Sequence, residues 1–218
     1  MFERNRYNIG LEIIASARTT AEAAESPDYK LLSDLHRLEG RLCNEANLPQ
    51  QGLDAFQAAF RLAKLAVHVG QLEPDDTRCV RTKTGWGNCL NQLGRFDEAL
   101  NLQLEASQAC ATDPERHGDA QSIVMLNLGY VYFRRGNLEE AEATFRQAQQ
   151  LDAKFKPVLY ALGNLAILRG QLDCALKLHL EALQLYVDEF GEQHQCVADS
   201  LFKVGETYLK MNLLSDAV

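Results

Sequence analysis

The stretch LGYVYFRRGNLEEAEATF, residues 128–145, decides the fold of this chain of 218 residues. It predicts a helix that ends at Gly136 and a second helix that begins near Leu138, because Gly adopts the left-handed conformation after a helix without penalty. The two acidic residues after Leu138 suit the first turn of that second helix. Gly129 and Ala141 are small where two antiparallel helices approach closely, so the stretch predicts a helical hairpin.

The same spacing recurs along the chain, as a Gly, an apolar residue three positions later, a turn residue seven positions later and Ala twelve positions later. The first Gly stands at 87, 129, 163 and 205, and a weaker copy starts at Gly40 and has Gly52 in place of the Ala. Such repeats predict helix pairs that stack into a solenoid. No segment shows the period-two alternation of a strand. We therefore predict an all-α fold, with helices at about 2–25, 28–47, 50–69, 75–93, 96–111, 116–135, 138–151, 155–169, 172–190 and 194–211 and a further helix from 213.

The repeat resembles the tetratricopeptide repeat family, whose consensus is matched at Leu128, Gly129, Tyr132, Gly136, Ala141, Phe145 and Ala148. The match is strong over about residues 75–218 and weaker over 28–70. The 42-residue steps and the long segment 178–194 look like the kinesin-light-chain subtype. Segments 160–165 and 197–205 are similar to the repeat tails of fungal NB-ARC-type signalling ATPases. The resemblance implies a right-handed superhelical solenoid of antiparallel helix pairs.

We expect a single array fragment over residues 1–218. Gly10 lies 30 residues before Gly40, and the same spacing separates Ala99, in the second helix of one pair, from Gly129, in the first helix of the next. The N-terminal helix therefore has the register of the second helix of a pair whose first helix is missing. Unpaired end helices expose apolar faces, which predicts self-association. The expected parts are a half repeat at 1–26, repeats at 28–70, 75–112, 116–152 and 155–191, and a partial repeat at 194–218.

Composition and motifs argue against several function classes. The net charge of −8 disfavours a nucleic-acid partner, which needs a basic face. No apolar run approaches the roughly 20 residues of a membrane helix, and the N-terminus lacks the apolar stretch of a signal peptide, so we expect no membrane partner and a cytoplasmic location. No Walker A, G-x-S-x-G or H-E-x-x-H motif occurs. We predict that the chain is not an enzyme and has no catalytic residues and no cofactor.

The cysteines and histidines also favour structural roles. The six cysteines form no C-x-x-C pair, which disfavours a zinc site and predicts free thiols that pack as small apolar residues. Gly85-Trp86-Gly87 lacks the third Gly of a dinucleotide fingerprint. His179 occupies a packing position of a second helix, so we predict a partly buried, hydrogen-bonded imidazole and no metal ligand.

The family resemblance also implies a concave groove lined by the first helix of each pair. Its contact positions lie three residues before the first Gly and one, four and five residues after it. Carried onto this chain, together with the basic Arg81, they predict the groove residues Arg37, Arg41, Arg81, Asn88, Asn91, Tyr130, Phe133, Arg134, Tyr160, Asn164 and Phe202. The arginines, with Arg78, predict a local positive field. Tyr130 and Leu126 stand where a chaperone-tail clamp needs Asn and Lys, which disfavours that ligand.

These residues favour a protein–protein interaction scaffold that holds a partner peptide or helix, acidic at one end and with apolar anchors at the other. The alternative is a sensor or regulatory repeat tail of a nucleotide-dependent signalling protein of the NB-ARC or STAND type. An inert spacer surface, or a face covered by a neighbouring domain, stays open as a third interpretation.

Overall fold

A computed structural model describes the backbone of residues 2–215 and the side chains of residues 7–212 apart from residue 119. Over this range the chain forms ten helices and no strand, and consecutive helices pack in pairs. The predicted all-α fold of helix pairs is confirmed. The helices are α1 (Phe2–Glu22), α2 (Tyr29–Glu45), α3 (Pro49–His68), α4 (Thr77–Gln92), α5 (Phe96–Thr112), α6 (Pro114–Arg135), α7 (Leu138–Leu151), α8 (Lys156–Leu168), α9 (Leu172–Phe190) and α10 (Gln195–Ser215).

The helix ends follow local chemistry. Gly136 has a φ of 82° after the end of α6, as predicted for a residue that closes a helix in the left-handed region. Asn47 takes the same role after α2 with a φ of 57°. The prediction that a helix ends near 211 and another starts at 213 is wrong, because α10 continues to Ser215. Soon after Asn47 the chain reaches Pro49, and Pro favours the start of a new helix. In α10 the corresponding residues are Leu213 and Leu214, which are good helix formers, so the helix continues.

Each helix pair packs through its glycine. A Cβ atom added to Gly40, Gly87, Gly129 or Gly163 would lie 2.3–2.8 Å from a side chain of the following helix, which is closer than real Cβ contacts. The side chain that it meets always belongs to the residue sixteen positions later, namely Phe56, Gln103, Phe145 and His179 respectively, and all four are fully buried. The small residues twelve positions after the glycines are buried too. The predicted role of these small residues in close helix packing is confirmed.

The chain divides into two compact units, Met1–Asn127 and Leu128–Val218, and the division falls within α6. In the first unit, Val80 of α4 packs with Ala106 and Cys110 of α5 and with Val124 of α6. In the second unit, Phe145, Leu159 and Leu165 are fully buried. Among the helices between residues 2 and 215, none is long and apolar enough to cross a membrane.

Candidate functional site

One open pocket of about 490 Å³ in the N-terminal unit is lined mainly by α2, α4 and α6, each of which is the first helix of its pair. Helices α2 and α4 contact each other directly, and α6 supplies the third wall. Four of the predicted groove residues, Arg37, Arg41, Arg81 and Asn88, meet in this pocket. The lining residues are Arg37, Arg41, Asn44, Glu45, Phe56, Arg81, Thr84, Gly85, Asn88, Ala120, Ile123 and Asn127.

An ion-pair network reduces the positive field predicted for this region. Asp34 accepts a hydrogen bond from Arg37 Nη2 at 3.0 Å, and its two carboxylate oxygens share the single N–H of Arg78 Nε, each at 3.2 Å. Asp76 accepts a further one from Arg78 Nη1 at 2.8 Å. Burial of the Arg78 guanidinium opposes its charge, but Asp34 and Asp76 outweigh that effect and raise the pKa of Arg78. Arg37 and Arg78 are therefore paired with carboxylates, which reduces the local positive field.

Arg41 is the exposed basic residue on the α2 side of the pocket, and within the described residues it forms no ion pair. Glu45, one turn later on α2, is the one carboxylate among the lining residues. Arg37 and Arg81 also line a neighbouring pocket of about 470 Å³, which contains Asp34, Asp76 and Glu115. A ligand would thus meet Arg41 at one side and mixed charges at the other.

The pocket also presents polar groups that suit a peptide backbone. Asn44 Oδ1 accepts a hydrogen bond from Cys89 Sγ at 2.9 Å, which orients the amide and leaves its NH₂ group available to donate. Asn88 and Asn127 form no side-chain hydrogen bond to another residue of the described range, so each amide can both donate and accept. Arg37 Nε is buried and has no acceptor among the described atoms.

The sequence interpretation predicted Arg81 but missed the pocket residues of α6, which are Ala120, Ile123 and Asn127. Residues six positions before the repeat glycine lie on this surface, as Arg81 of α4 and Ile123 of α6 do. Residues two positions before the glycine, such as Asn127, lie there too. The sequence spacing could have revealed these residues. Ala120, Ile123 and Asn127 are separated by three and four positions, so they share one face of a helix.

Two residues implied by the family's contact positions are packed rather than open. Asn91 is buried, its Oδ1 has no hydrogen-bond partner within the described residues, and it does not line the pocket. Thr84 is also buried, donates from Oγ1 to Val80 O at 2.8 Å and accepts from Gln103 Nε2 through its carbonyl at 2.9 Å. Thr84 nevertheless contributes to the lining of the pocket, whereas Asn91 does not.

In the C-terminal unit, Tyr130 of α6 packs its ring edge-on against Phe145 of α7, with centroids 5.3 Å apart. Burial raises the pKa of the Tyr130 phenol. Phe133 is half-buried and Arg134 is exposed. Tyr130 thus has a packing role, and its role in ligand binding stays a prediction.

Tyr160 of α8 also contributes to packing. Its hydroxyl donates to Ser200 Oγ of α10, and its ring stacks on Tyr186 of α9 with centroids 6.1 Å apart. The stack continues from Tyr186 to Phe190 at 6.2 Å and from Phe190 to His194 at 4.5 Å. Burial raises the pKa of Tyr186 to about 12. The sequence interpretation did not predict this stack, which joins α8 and α9 to His194, the residue directly before α10.

The remaining predicted residues of this unit are more open. Asn164 of α8 is half-buried, and Phe202 of α10 is exposed with Lys203 Nζ 5.8 Å from its ring centroid. The structure thus brings together Arg37, Arg41, Arg81 and Asn88 but not Asn91, while the predicted residues of the C-terminal unit contribute partly to packing. For Phe133, Arg134, Asn164 and Phe202 the predicted binding role remains a prediction.

His179 has the environment that the sequence predicts, although it is fully buried rather than partly so. Its Nδ1 lies 2.9 Å from Thr207 Oγ1, and burial, followed by the nearby Lys203, lowers the pKa of the imidazole. Within the described residues, no cluster of three or more His, Cys, Asp or Glu side chains could hold a metal ion.

Cysteine packing is mostly as predicted. Cys43, Cys89 and Cys110 are buried, and burial raises the pKa of Cys89 to about 12. Cys174 is exposed, contrary to the prediction that all six thiols are packed. It directly precedes the small residue Ala175, and the equivalent Glu140 before Ala141 is exposed as well, so this helix position faces outward.

Solved structures of low sequence identity share the fold. BtubC (BKLC) from P. vanneervenii is 16% identical with a TM-score of 0.65, over 96% of this chain and 83% of that protein. A Rap protein complexed with competence and sporulation factor is 14% identical with a TM-score of 0.73, over 99% of this chain and 62% of that protein. A kinesin light chain-like protein of Podosopora anserina with nearly identical TPR-like repeats is 14% identical with a TM-score of 0.61, over 88% of this chain and 92% of that protein.

At these identities the likeness shows the fold alone. No curated protein matches the sequence. The tetratricopeptide repeat family matches residues 78–154 and 157–218, which together make up more than half of the chain. The chain therefore belongs to the tetratricopeptide repeat family.

Proposed function

We propose that this chain is a protein-interaction scaffold whose N-terminal unit binds an extended segment of a partner protein in the pocket between α2, α4 and α6. The observation that carries the proposal is the convergence of Arg37, Arg41 and Asn88 from two repeats on one open pocket. Tetratricopeptide repeats are in general non-enzymatic scaffolds that bind protein or peptide partners, which supports this class of function.

The side chains of the pocket support one class of ligand. Asn44, Asn88 and Asn127 offer amide groups that match the alternating donors and acceptors of an extended backbone. Ile123 offers an apolar contact at the same surface. The ligand is therefore an extended segment with one acidic residue near Arg41 and one apolar residue near Ile123. A strongly acidic segment is disfavoured, because Asp34 and Asp76 neutralise part of the arginine charge.

The test starts from a display library of random extended peptides selected against the full chain, followed by affinity measurement by fluorescence anisotropy. Asn88→Ala removes hydrogen bonds and should weaken binding about 3- to 10-fold. Arg41→Glu replaces attraction by repulsion, so it should weaken binding by roughly 5- to 30-fold and reverse the salt dependence.

Matched controls separate the pocket from the rest of the surface. Arg61→Glu on α3 makes the same charge change at an exposed position outside the pocket, and Asn101→Ala on α5 makes the same truncation. Both should leave the dissociation constant unchanged. Equal effects of Arg41→Glu and Arg61→Glu would place binding elsewhere and refute the proposal.

The alternative, a repeat tail of an NB-ARC-type signalling protein, stays a prediction. It differs from the leading proposal in requiring a nucleotide-binding module in the same polypeptide. The complete open reading frame of the gene distinguishes the two, since a P-loop upstream of the repeats would favour the regulatory tail.

A further inference from the structure

Asn44 differs from the other amides that line the pocket between α2, α4 and α6, because a neighbouring side chain fixes its orientation. The thiol of Cys89 on α4 donates to Asn44 Oδ1 at 2.9 Å, whereas Asn88 and Asn127 form no side-chain hydrogen bond within the described residues. Cys89 is fully buried, and burial raises the pKa of its thiol to about 12, so the thiol keeps its proton at neutral pH. This contact holds the oxygen of the Asn44 amide toward α4 and leaves the NH₂ group as the part that can meet a ligand.

Gly52 of α3 makes room for the pair of Asn44 and Cys89. A Cβ atom added there would lie 3.0 Å from Cys89 Sγ, 3.3 Å from the carbonyl oxygen of Gly40 and 3.4 Å from Asn44 Oδ1. The second helices of the three following pairs have Ala in this repeat position, at Ala99, Ala141 and Ala175. The glycine that makes the first pair a weaker copy of the repeat thus lies where the thiol and the amide meet.

The next repeat has an amide in the same position but no thiol to hold it. Asn91, like Asn44, stands four positions after the repeat glycine, while Cys89 stands two positions after its own glycine. In the repeat that follows Asn91, the position of Cys89 is held by Val131, whose side chain has no donor. Asn91 Oδ1 is buried without a hydrogen-bond partner in the described part of the chain, and Asn91 does not line the pocket. The thiol donor thus accompanies the amide that lines the pocket.

The NH₂ group of Asn44 extends a row of hydrogen-bond donors on α2. Arg37, Arg41 and Asn44 are separated by four and three positions, so they share one face of the helix, and all three line the pocket. A guanidinium group only donates, and Asn44 presents only donors once its oxygen is engaged by Cys89. The matching group on an extended segment is a main-chain carbonyl oxygen, which every residue carries.

We propose, building on the peptide binding proposed above, that Asn44 donates from Nδ2 to a main-chain carbonyl oxygen of the bound segment and that Cys89 is the positioning residue that holds the amide for this contact. Without the thiol, the Asn44 amide has two orientations, and one of them places its oxygen opposite the ligand carbonyl. Loss of the thiol therefore reduces the fraction of the chain that is ready to bind.

The first experiment locates the carbonyl oxygen. Each main-chain carbonyl of a peptide selected against the full chain is replaced in turn by a thioamide, whose sulfur is a weaker acceptor, and affinity is measured by fluorescence anisotropy. At one position the thioamide should weaken binding to the parent chain about 3- to 10-fold and have no effect on binding to Asn44→Ala, because that variant has already lost the hydrogen bond. Thioamide effects that are the same in both proteins at every position would overturn the proposal.

The second experiment tests the role of the thiol with the same peptide. Cys89→Ala should weaken binding about 2- to 5-fold, whereas Cys89→Ser keeps a donor beside Asn44 and should bind like the parent chain. Urea unfolding of both variants shows whether affinity merely follows stability, as a structural role would require. Parent-like binding by Cys89→Ala, or equal weakening by both variants, would overturn the positioning role.

Matched controls separate this assignment from the proposed function itself. Cys110→Ala truncates another buried cysteine, outside the pocket, and should leave the affinity unchanged. If Arg41→Glu and Asn88→Ala fail to weaken binding, the peptide binds elsewhere, and the proposed function fails together with the role of Asn44. If those two variants weaken binding and Asn44→Ala shows no coupling to any thioamide, the pocket stands and the role assigned to Asn44 is wrong.

Discussion

The contrast between Gly129→Ala and Gly205→Ala tests the repeat packing. Both glycines are helical and occupy the same repeat position, so the added methyl group improves helix propensity by about 1 kcal/mol in each. At Gly129 the new Cβ would lie 2.4 Å from Phe145 Cε1, so the ring must move by about 1 Å to reach ordinary contact. Phe145 is fully buried and packs against Tyr130, which leaves it little room to move.

Overpacking of this kind costs roughly 1–3 kcal/mol. Since the gain in helix propensity is common to both variants, the difference between their free energies of unfolding should equal that cost. Gly205→Ala should be neutral or stabilising, because its Cβ meets open space. Urea unfolding followed by circular dichroism measures both, and hydrogen exchange of α10 detects local effects at Gly205. Equal stability of the two variants would refute the proposed register.

Two further predictions concern buried positions of the C-terminal unit. Ala141→Leu should destabilise the chain by roughly 1–3 kcal/mol in urea unfolding, because Ala141 is fully buried between helices; exposed Ala143, changed in the same way, should have little effect. Burial lowers the pKa of His179 below 6.5, so the unfolded chain binds a proton more readily than the folded chain. The free energy of unfolding should therefore decrease as the pH is lowered through that region. His179→Phe, which copies Phe145, should weaken this loss between pH 7 and 5, and an unchanged pH dependence would contradict it.

The fold was predictable because its determinants are local and periodic. One short stretch contains three such determinants. Gly129 and Ala141 allow two helices to approach closely, and Gly136 ends the helix between them; the same spacing marks the other pairs. Their physical meaning does not depend on residues far away in the sequence. The wrong helix end, near residue 211, lies where Asn212 holds the turn position. Asn47 ends α2 in the same position, but Pro49 follows it, whereas the helix formers Leu213 and Leu214 follow Asn212.

The candidate site was only partly predictable, because it depends on pairings between distant residues. Arg78 and Asp34 are 44 positions apart, and only the packing of α4 beside α2 brings them to 3.2 Å. The sequence therefore overstated the positive field. Tyr160 and Tyr186 likewise stack only because α8 and α9 pair in a particular register. The repeat spacing indicates which helix carries a side chain, but it does not reveal the partner that the side chain contacts.

Photo-crosslinking tests the central claim, peptide binding between α2, α4 and α6, most directly. A photoreactive p-benzoylphenylalanine replaces either Ile123, which lines the pocket, or Leu104, which lies on α5 outside it, and each native side chain is 44% exposed. Each protein is irradiated with a peptide selected against the full chain. The account predicts a crosslinked product at position 123 that excess unlabelled peptide abolishes, and none at position 104. Crosslinking at position 104 alone, or at both positions equally, would contradict it.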